Sequence, residues 1–293
     1  MAAAMLLEGQ EGTRTRASDP PSVASNDYGR VITFDLEAAP FPDAARREGY
    51  SYAGDFYPSE GHYDDPSVVV FIPSGYSPEG KVDLVFFFHG WYSSVSKAAR
   101  DFDLFRQFSA SGAKALLVMP ETARDAPDSF AGKLERDDGF NALVGQLLEA
   151  LHAGGVTPRL EAKDIILAGH SGAYHIISRI LSQRGAAAKV GEVCLFDALY
   201  DDVERFAEWI QEGKGSFVSI CSDGGDPADN ARGMAEALQA RGIPVVTAKD
   251  DPEDNGRSLR HRVVFLSSQY DHSDIISQAD EFRRVLAASM PSR

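Results

Sequence analysis

The chain has 293 residues, 43% of them hydrophobic and 25% charged, which fits one large α/β domain or two small ones. No apolar run approaches the roughly 20 residues of a membrane helix. The net charge of −15 disfavours nucleic-acid binding, which draws on basic groups meeting phosphates.

The first 27 residues are rich in Gly, Ser, Pro and charge beyond a short apolar start, and read as a mobile tail. Arg14 and Arg16 follow that apolar piece instead of preceding it, the wrong order for a secretory signal, so a cytoplasmic location is expected. Residues 28–293 then read as one domain. Strands are predicted at 31–35 and 68–72. Between them lies a stretch with Tyr50, Tyr52, Phe56, Tyr57 and Tyr63, read as a surface loop bearing a hairpin whose aromatic rings serve packing, with a pocket wall as the alternative. The apolar run 82–88 predicts a central strand covered on both faces. Helical spacing of Phe102, Phe105 and Phe108 predicts one helix over 95–110. A strand over 113–119 stops at Pro120.

Residues 121–138 lack periodicity, and a loop that long in a compact domain is often functional. Phe140, Leu143, Val144, Leu147, Leu148 and Leu151 share one face of a helix over 140–151. Strand and helix then alternate: 164–168 and 171–181, 190–196 and 202–211, 216–221 and 227–240, 262–266 and 273–288. Such alternation implies a mostly parallel sheet with helices on both faces, whose ligand site lies beyond the carboxyl ends of the strands. Cys194 and Cys221 fall in core strands and read as free apolar thiols. Asp64–Asp65, Asp201–Asp202 and Asp250–Asp251 lack the spacing of a calcium loop, and no paired-His helix motif appears, so neither metal nor cofactor is expected.

The most informative run is Gly169-His170-Ser171-Gly172-Ala173, at the end of a buried-strand pattern and the start of a helix. Small neighbours two residues either side let the backbone turn sharply and leave the serine hydroxyl exposed, the geometry of a nucleophile elbow. The last glycine of the usual G-x-S-x-G is Ala173 here, still a small residue. Other reactive side chains fall at the same sheet edge: His89-Gly90-Trp91, Asp197, Asp223 and His272.

On Phe88-His89-Gly90-Trp91, the Ser171 elbow and Asp271-His272, in the order nucleophile, acid, histidine, the chain resembles the α/β-hydrolase family over roughly residues 31–288. The resemblance implies that fold and a serine hydrolase cleaving an ester or amide through an acyl-enzyme. Ser171 is the candidate nucleophile and His272 its base. Asp197 or Asp223 orients the histidine; the held position of Asp197 favours it over the glycine-flanked Asp223. The backbone N–H groups of Gly172 and Trp91 are the candidate oxyanion donors. His89 is expected to shape the oxyanion turn, and His175 to pack on its helix or reach the site. Ser129, Phe130 and Lys133 are expected to shape substrate preference. The substrate is a small molecule, a peptide or a polymer; a peptidase, an amidase and a noncatalytic binding protein on this fold stand as alternatives. The short connection after 190–196 leaves little room for a lid, so an open site is expected.

Overall fold

The computed structural model describes residues 21–77, 80–254 and 256–290. The segment read as a tail thus lies outside the described residues over 1–20, but Ser22–Asn26 forms an edge strand, β1, antiparallel to β2 (Gly29–Asp35). Its side chains alternate between half-buried and exposed, too weak a pattern to separate from a polar tail.

Among the described residues ten strands form one sheet. Besides β1 and β2 these are β5 (Ser67–Pro73), β6 (Val82–Phe88), β7 (Leu116–Pro120), β8 (Ala162–His170), β9 (Val190–Phe196), β10 (Ser216–Ser222), β11 (Val246–Lys249) and β12 (Val263–Ser268). Their order is β1-β2-β5-β7-β6-β8-β9-β10-β12-β11. The pairs from β7 through β11 are parallel, whereas β1, β2 and β5 join antiparallel. The hairpin expected in the tyrosine-rich stretch is present as β3 (Tyr50–Tyr52) and β4 (Asp55–Tyr57).

Two apolar layers sandwich the sheet. On β6, Leu84, Phe86 and Phe88 face one layer with Leu167 of β8, while Val85 and Phe87 face the other with Ile166 and Ala168. This follows from the period-2 alternation of strand side chains. Cys194 and Cys221 are free and lie in opposite layers. β9 and β10 are neighbours, but Cys194 pairs in register with Val218, which puts Cys221 three positions away and on the other face.

The helices are α1 (Val95–Asp101), α2 (Leu104–Ser111), α3 (Gly139–Ala153), α4 (Tyr174–Leu181), α5 (Val203–Gln211), α6 (Asp226–Ala240), α7 (Asp274–Ser277) and α8 (Glu281–Ser289). Two stretches that read as single helices are broken, at Asp103 (φ 48°) and Asp280 (φ 52°). Aspartate tolerates the left-handed conformation better than most residues, so periodicity continues across a real interruption. Arg106 ties the two breaks together, bonding Asp103 and, at 2.6 Å, Asp280.

The sheet order reverses direction at β6. From β6 the chain proceeds to β7 on one side, and later to β8 on the other. The loops leaving the carboxyl ends of β6 and β8 therefore diverge and open a crevice between them. His89-Gly90-Trp91 leaves β6 there, and Ser171 leaves β8.

Candidate active site

Ser171 begins the turn between β8 and α4 with φ 56°, in the left-handed region. A non-glycine residue there carries strain that the surrounding structure must hold. Tyr92 (φ 52°) and Asp197 (φ 45°), at the ends of two other strands of the same edge, share that conformation. Close packing holds the elbow. A Cβ on Gly90 would stand 2.5 Å from the Ser171 Cβ and 3.2 Å from its Oγ. One on Gly172 would stand 2.5 Å from Trp91 Cδ1. Only glycine lets the β6 loop close on the serine from one side and the indole from the other. Gly169 also packs closely on Ala173, its imagined Cβ at 2.8 Å, so the alanine that departs from the motif fits its place.

His272 follows β12, and its Nδ1 lies 2.5 Å from Asp197 Oδ2. Asp197 is buried at the end of β9, where its Oδ1 accepts from the Ser222 backbone N–H at 2.9 Å and hydroxyl at 3.0 Å. Burial pushes the Asp197 carboxyl up, but the hydrogen bonds to His272 and Ser222 outweigh it and hold it below the ordinary value. Of the two candidate acids, Asp197 is the one beside His272; Asp223 is exposed on a glycine turn. His170 steadies the other side of His272. Its ring lies 4.5 Å from the His272 ring, and its Nε2–H donates to the His272 carbonyl at 2.9 Å. Burial, with the neighbouring His272, lowers the His170 pKa to about 4, so it serves as a neutral spacer. The Tyr200 hydroxyl reaches within 3.5 Å of His272 Nδ1.

Among the described residues, no acceptor takes up the backbone N–H of Trp91 or Gly172. His89 is buried beneath this turn, with Nδ1 2.8 Å from the Gly90 carbonyl and Nε2 2.7 Å from Glu121 Oε1. A carbonyl only accepts, so Nδ1 carries a proton and fixes the direction of the Gly90–Trp91 peptide. Glu121 also accepts from the N-terminal Val95 N–H of α1, where a carboxylate suits the helix dipole. Glu121 and Ser222 are two supports that the sequence reading missed; each is an ordinary polar residue at a strand end, with no motif of its own.

The three residues expected to shape substrate preference separate. Ser129 reaches the site, its Oγ accepting from Trp91 Nε1 at 2.7 Å and lying 2.8 Å from an imagined Cβ on Gly172. Phe130 instead packs with Phe41 and beneath the Arg46 guanidinium, 4.3 Å from its ring centre. Lys133 donates to the Glu37 carbonyl at 2.7 Å and lines a separate groove with Arg136 and Gln146. A short 3-10 turn, Gly132–Glu135, carries the lysine away from the crevice. His175 does not reach the nucleophile. Its ring bridges Asp202 (3.0 Å) and Glu135 (2.9 Å).

Ser171 is half-buried, while Trp91, Tyr92 and Tyr200 beside it are exposed, an open rim. Among the described residues no helix is long and apolar enough to cross a membrane, and no group of three or more His, Cys, Asp or Glu side chains could hold a metal ion.

Sheet order, the elbow and the placement of Asp197 after β9 and His272 after β12 define the α/β-hydrolase fold. No family model and no curated protein matches the sequence. Solved structures do. An S-formylglutathione hydrolase from Agrobacterium tumefaciens superposes with TM-score 0.54 at 11% identity, over 92% of this chain and 98% of that one. A feruloyl esterase module from Clostridium thermocellum, complexed with sinapinate, gives 0.52 at 11%, over 96% and 98%. A fluorophosphonate-binding serine hydrolase of Staphylococcus aureus gives 0.51 at 11%, over 92% and 98%. At such identities the likeness is one of fold.

Proposed function

We propose that this protein is a serine hydrolase that cleaves esters through an acyl-enzyme. The observation that carries the reading is the strained Ser171 elbow, enclosed by Gly90 and Gly172, at the sheet edge where Asp197 holds His272. That three structural neighbours of this fold are by name a serine hydrolase, a feruloyl esterase and an S-formylglutathione hydrolase supports it.

In this reading the Ser171 Oγ attacks the ester carbonyl while His272 Nε2 takes its proton. The Ser171 hydroxyl makes no hydrogen bond to His272 among the described residues; such contacts commonly tighten only when substrate is bound. Asp197 fixes the tautomer with the proton on Nδ1 and stabilises the imidazolium that forms. The carbonyl oxygen becomes an oxyanion, met by the N–H groups of Trp91 and Gly172, each donor of this kind supplying about 2.7–4 kcal/mol of barrier lowering. Collapse of the intermediate breaks the C–O bond, and His272 returns its proton to the departing alcohol. Water, deprotonated by the same histidine, then releases the acid and restores Ser171.

The test is reaction with a fluorophosphonate probe, followed by peptide mapping. Label on Ser171 in the natural protein, and none in folded Ser171→Ala, is the expected result. Folded protein that takes up no label at Ser171 refutes the proposal.

A further inference from the structure

Among the described residues seven large apolar side chains are exposed, and five of them are aromatic: Tyr52, Phe56, Trp91, Tyr92 and Tyr200. Isolated exposed apolar residues need no explanation, but Trp91 and Tyr52 touch each other beside a reactive centre, and such a pair does. The Trp91 indole forms the wall next to the nucleophile, pressed against Gly172. Its Nε1–H is held by Ser129 Oγ at 2.7 Å, so the ring plane is fixed before anything binds. Tyr52, on the β3–β4 hairpin, meets it with ring centres 5.3 Å apart and planes at 71°. Both rings remain more than one-third exposed, Trp91 at 37% and Tyr52 at 38%. The result is a rigid corner of two nearly perpendicular rings, open to solvent, beginning one residue from Ser171.

Building on the proposed hydrolase activity, we infer that the Trp91–Tyr52 corner is a subsite for an aryl group of the ester substrate. A third ring placed there makes one offset-stacked contact and one edge-to-face contact, the two arrangements that ring quadrupoles favour. A saturated group of the same size gains only area. A sugar ring needs hydrogen-bond partners around the stacking face, and here the Trp91 N–H is already committed to Ser129. The corner is preorganised, so ordering it costs the substrate little.

The experiment compares size-matched esters: benzyl acetate against cyclohexylmethyl acetate, and methyl phenylacetate against methyl cyclohexylacetate. The first pair probes the alcohol portion and the second the acyl portion. The expected result is a higher kcat/KM for the aryl member of at least one pair. Tyr52→Leu lowers that preference by about 2- to 12-fold, the value of one aromatic pair. Tyr52→Phe, which keeps the ring, retains the preference. Equal rates within both pairs, a preference untouched by Tyr52→Leu, or faster turnover of acetylated sugars than of either aryl ester overturns the subsite. If Ser171 is labelled by fluorophosphonate in the same preparation, that failure belongs to the subsite alone. If it is not labelled, the hydrolase reading falls and this inference with it.

Discussion

Replacing His175 with glutamine removes a charge held between two carboxylates. The imidazole lies 3.0 Å from Asp202 and 2.9 Å from Glu135. The bond to Asp202 and then that to Glu135 outweigh burial and raise its pKa from 6.5 to about 9. At 1.36 kcal/mol per tenfold change in proton affinity, that difference corresponds to about 3 kcal/mol of stability. With each side chain about one-fifth exposed (23%, 23% and 17%), screening trims this to about 2 kcal/mol. The pKa is raised on folding, so the contribution is complete below pH 6.5 and disappears as pH climbs through about 9. Glu135 and Asp202 are lowered by bonds to His175 that outweigh their burial. Theirs is the same interaction seen from the other partner, lost again as pH falls through their depressed values, and it is not added a second time. Arg179, 3.2 Å from Glu135, and Arg205, 3.4 Å from Asp202, still neutralise the carboxylates at high pH, which softens the alkaline loss without abolishing it. The assay is urea unfolding at pH 6 and pH 10. The natural protein is expected to lose about 2 kcal/mol more between these values than His175→Gln does. Equal losses in the two proteins would refute the reasoning.

Other expectations concern the proposed chemistry and the buried acid of β9. Asp197→Asn is expected to reduce kcat on a simple ester by about 10⁴-fold, the scale seen when a triad carboxylate becomes an amide. Asp223→Asn should leave kcat within about twofold, its carboxylate being exposed; a reversed ranking in steady-state kinetics would move the acid to Asp223. Gly90→Ala places a methyl 2.5 Å from the Ser171 Cβ, and a fall in kcat of about 10²-fold or more is expected from the displaced oxyanion turn. Buried Glu192 has its pKa raised to about 7, mainly by desolvation. The folded state thus resists its ionisation, and destabilisation grows as pH rises above 4.5 and levels off above about 7. Glu192→Gln keeps the acceptor for the Ser289 hydroxyl, 2.6 Å away, and is expected to raise the Tm at pH 8 with little change at pH 4.

What the sequence carried most clearly was the pattern repeated by chemistry along the chain. The buried strands from β6 to β12 were legible because runs such as Val82–Phe88 are apolar on both faces, which only a covered sheet accommodates. The elbow was legible because small residues around a serine, between such a strand and a helix, have few other uses. Exposed edge strands were not. β1 sat within the apparent tail, and β11 was missed because three of its four side chains are exposed and carry no burial pattern. The helix breaks at Asp103 and Asp280 were hidden for a related reason, since a single left-handed residue leaves the apolar spacing intact.

By itself, then, the sequence determined the fold class, the elbow at Ser171 and a short set of candidate partners, because these are written in local periodicity and local backbone demands. Only the tertiary structure decided among the partners. Asp197 and Asp223 follow adjacent strands, and which one meets His272 depends on where β9, β10 and β12 end relative to one another. Phe130 and Lys133 lie one and four residues beyond Ser129, yet Phe130 packs on Phe41 and a 3-10 turn carries Lys133 to a separate groove. His175, one turn from Ser171, proved to be a fastener between Asp202 and Glu135, residues far apart in the chain. The aromatic corner required a hairpin from residues 50–57 to fold over a turn at 91. Each of these is a contact between distant segments, and such contacts are fixed by strand order and loop path, to which spacing along a single chain is blind.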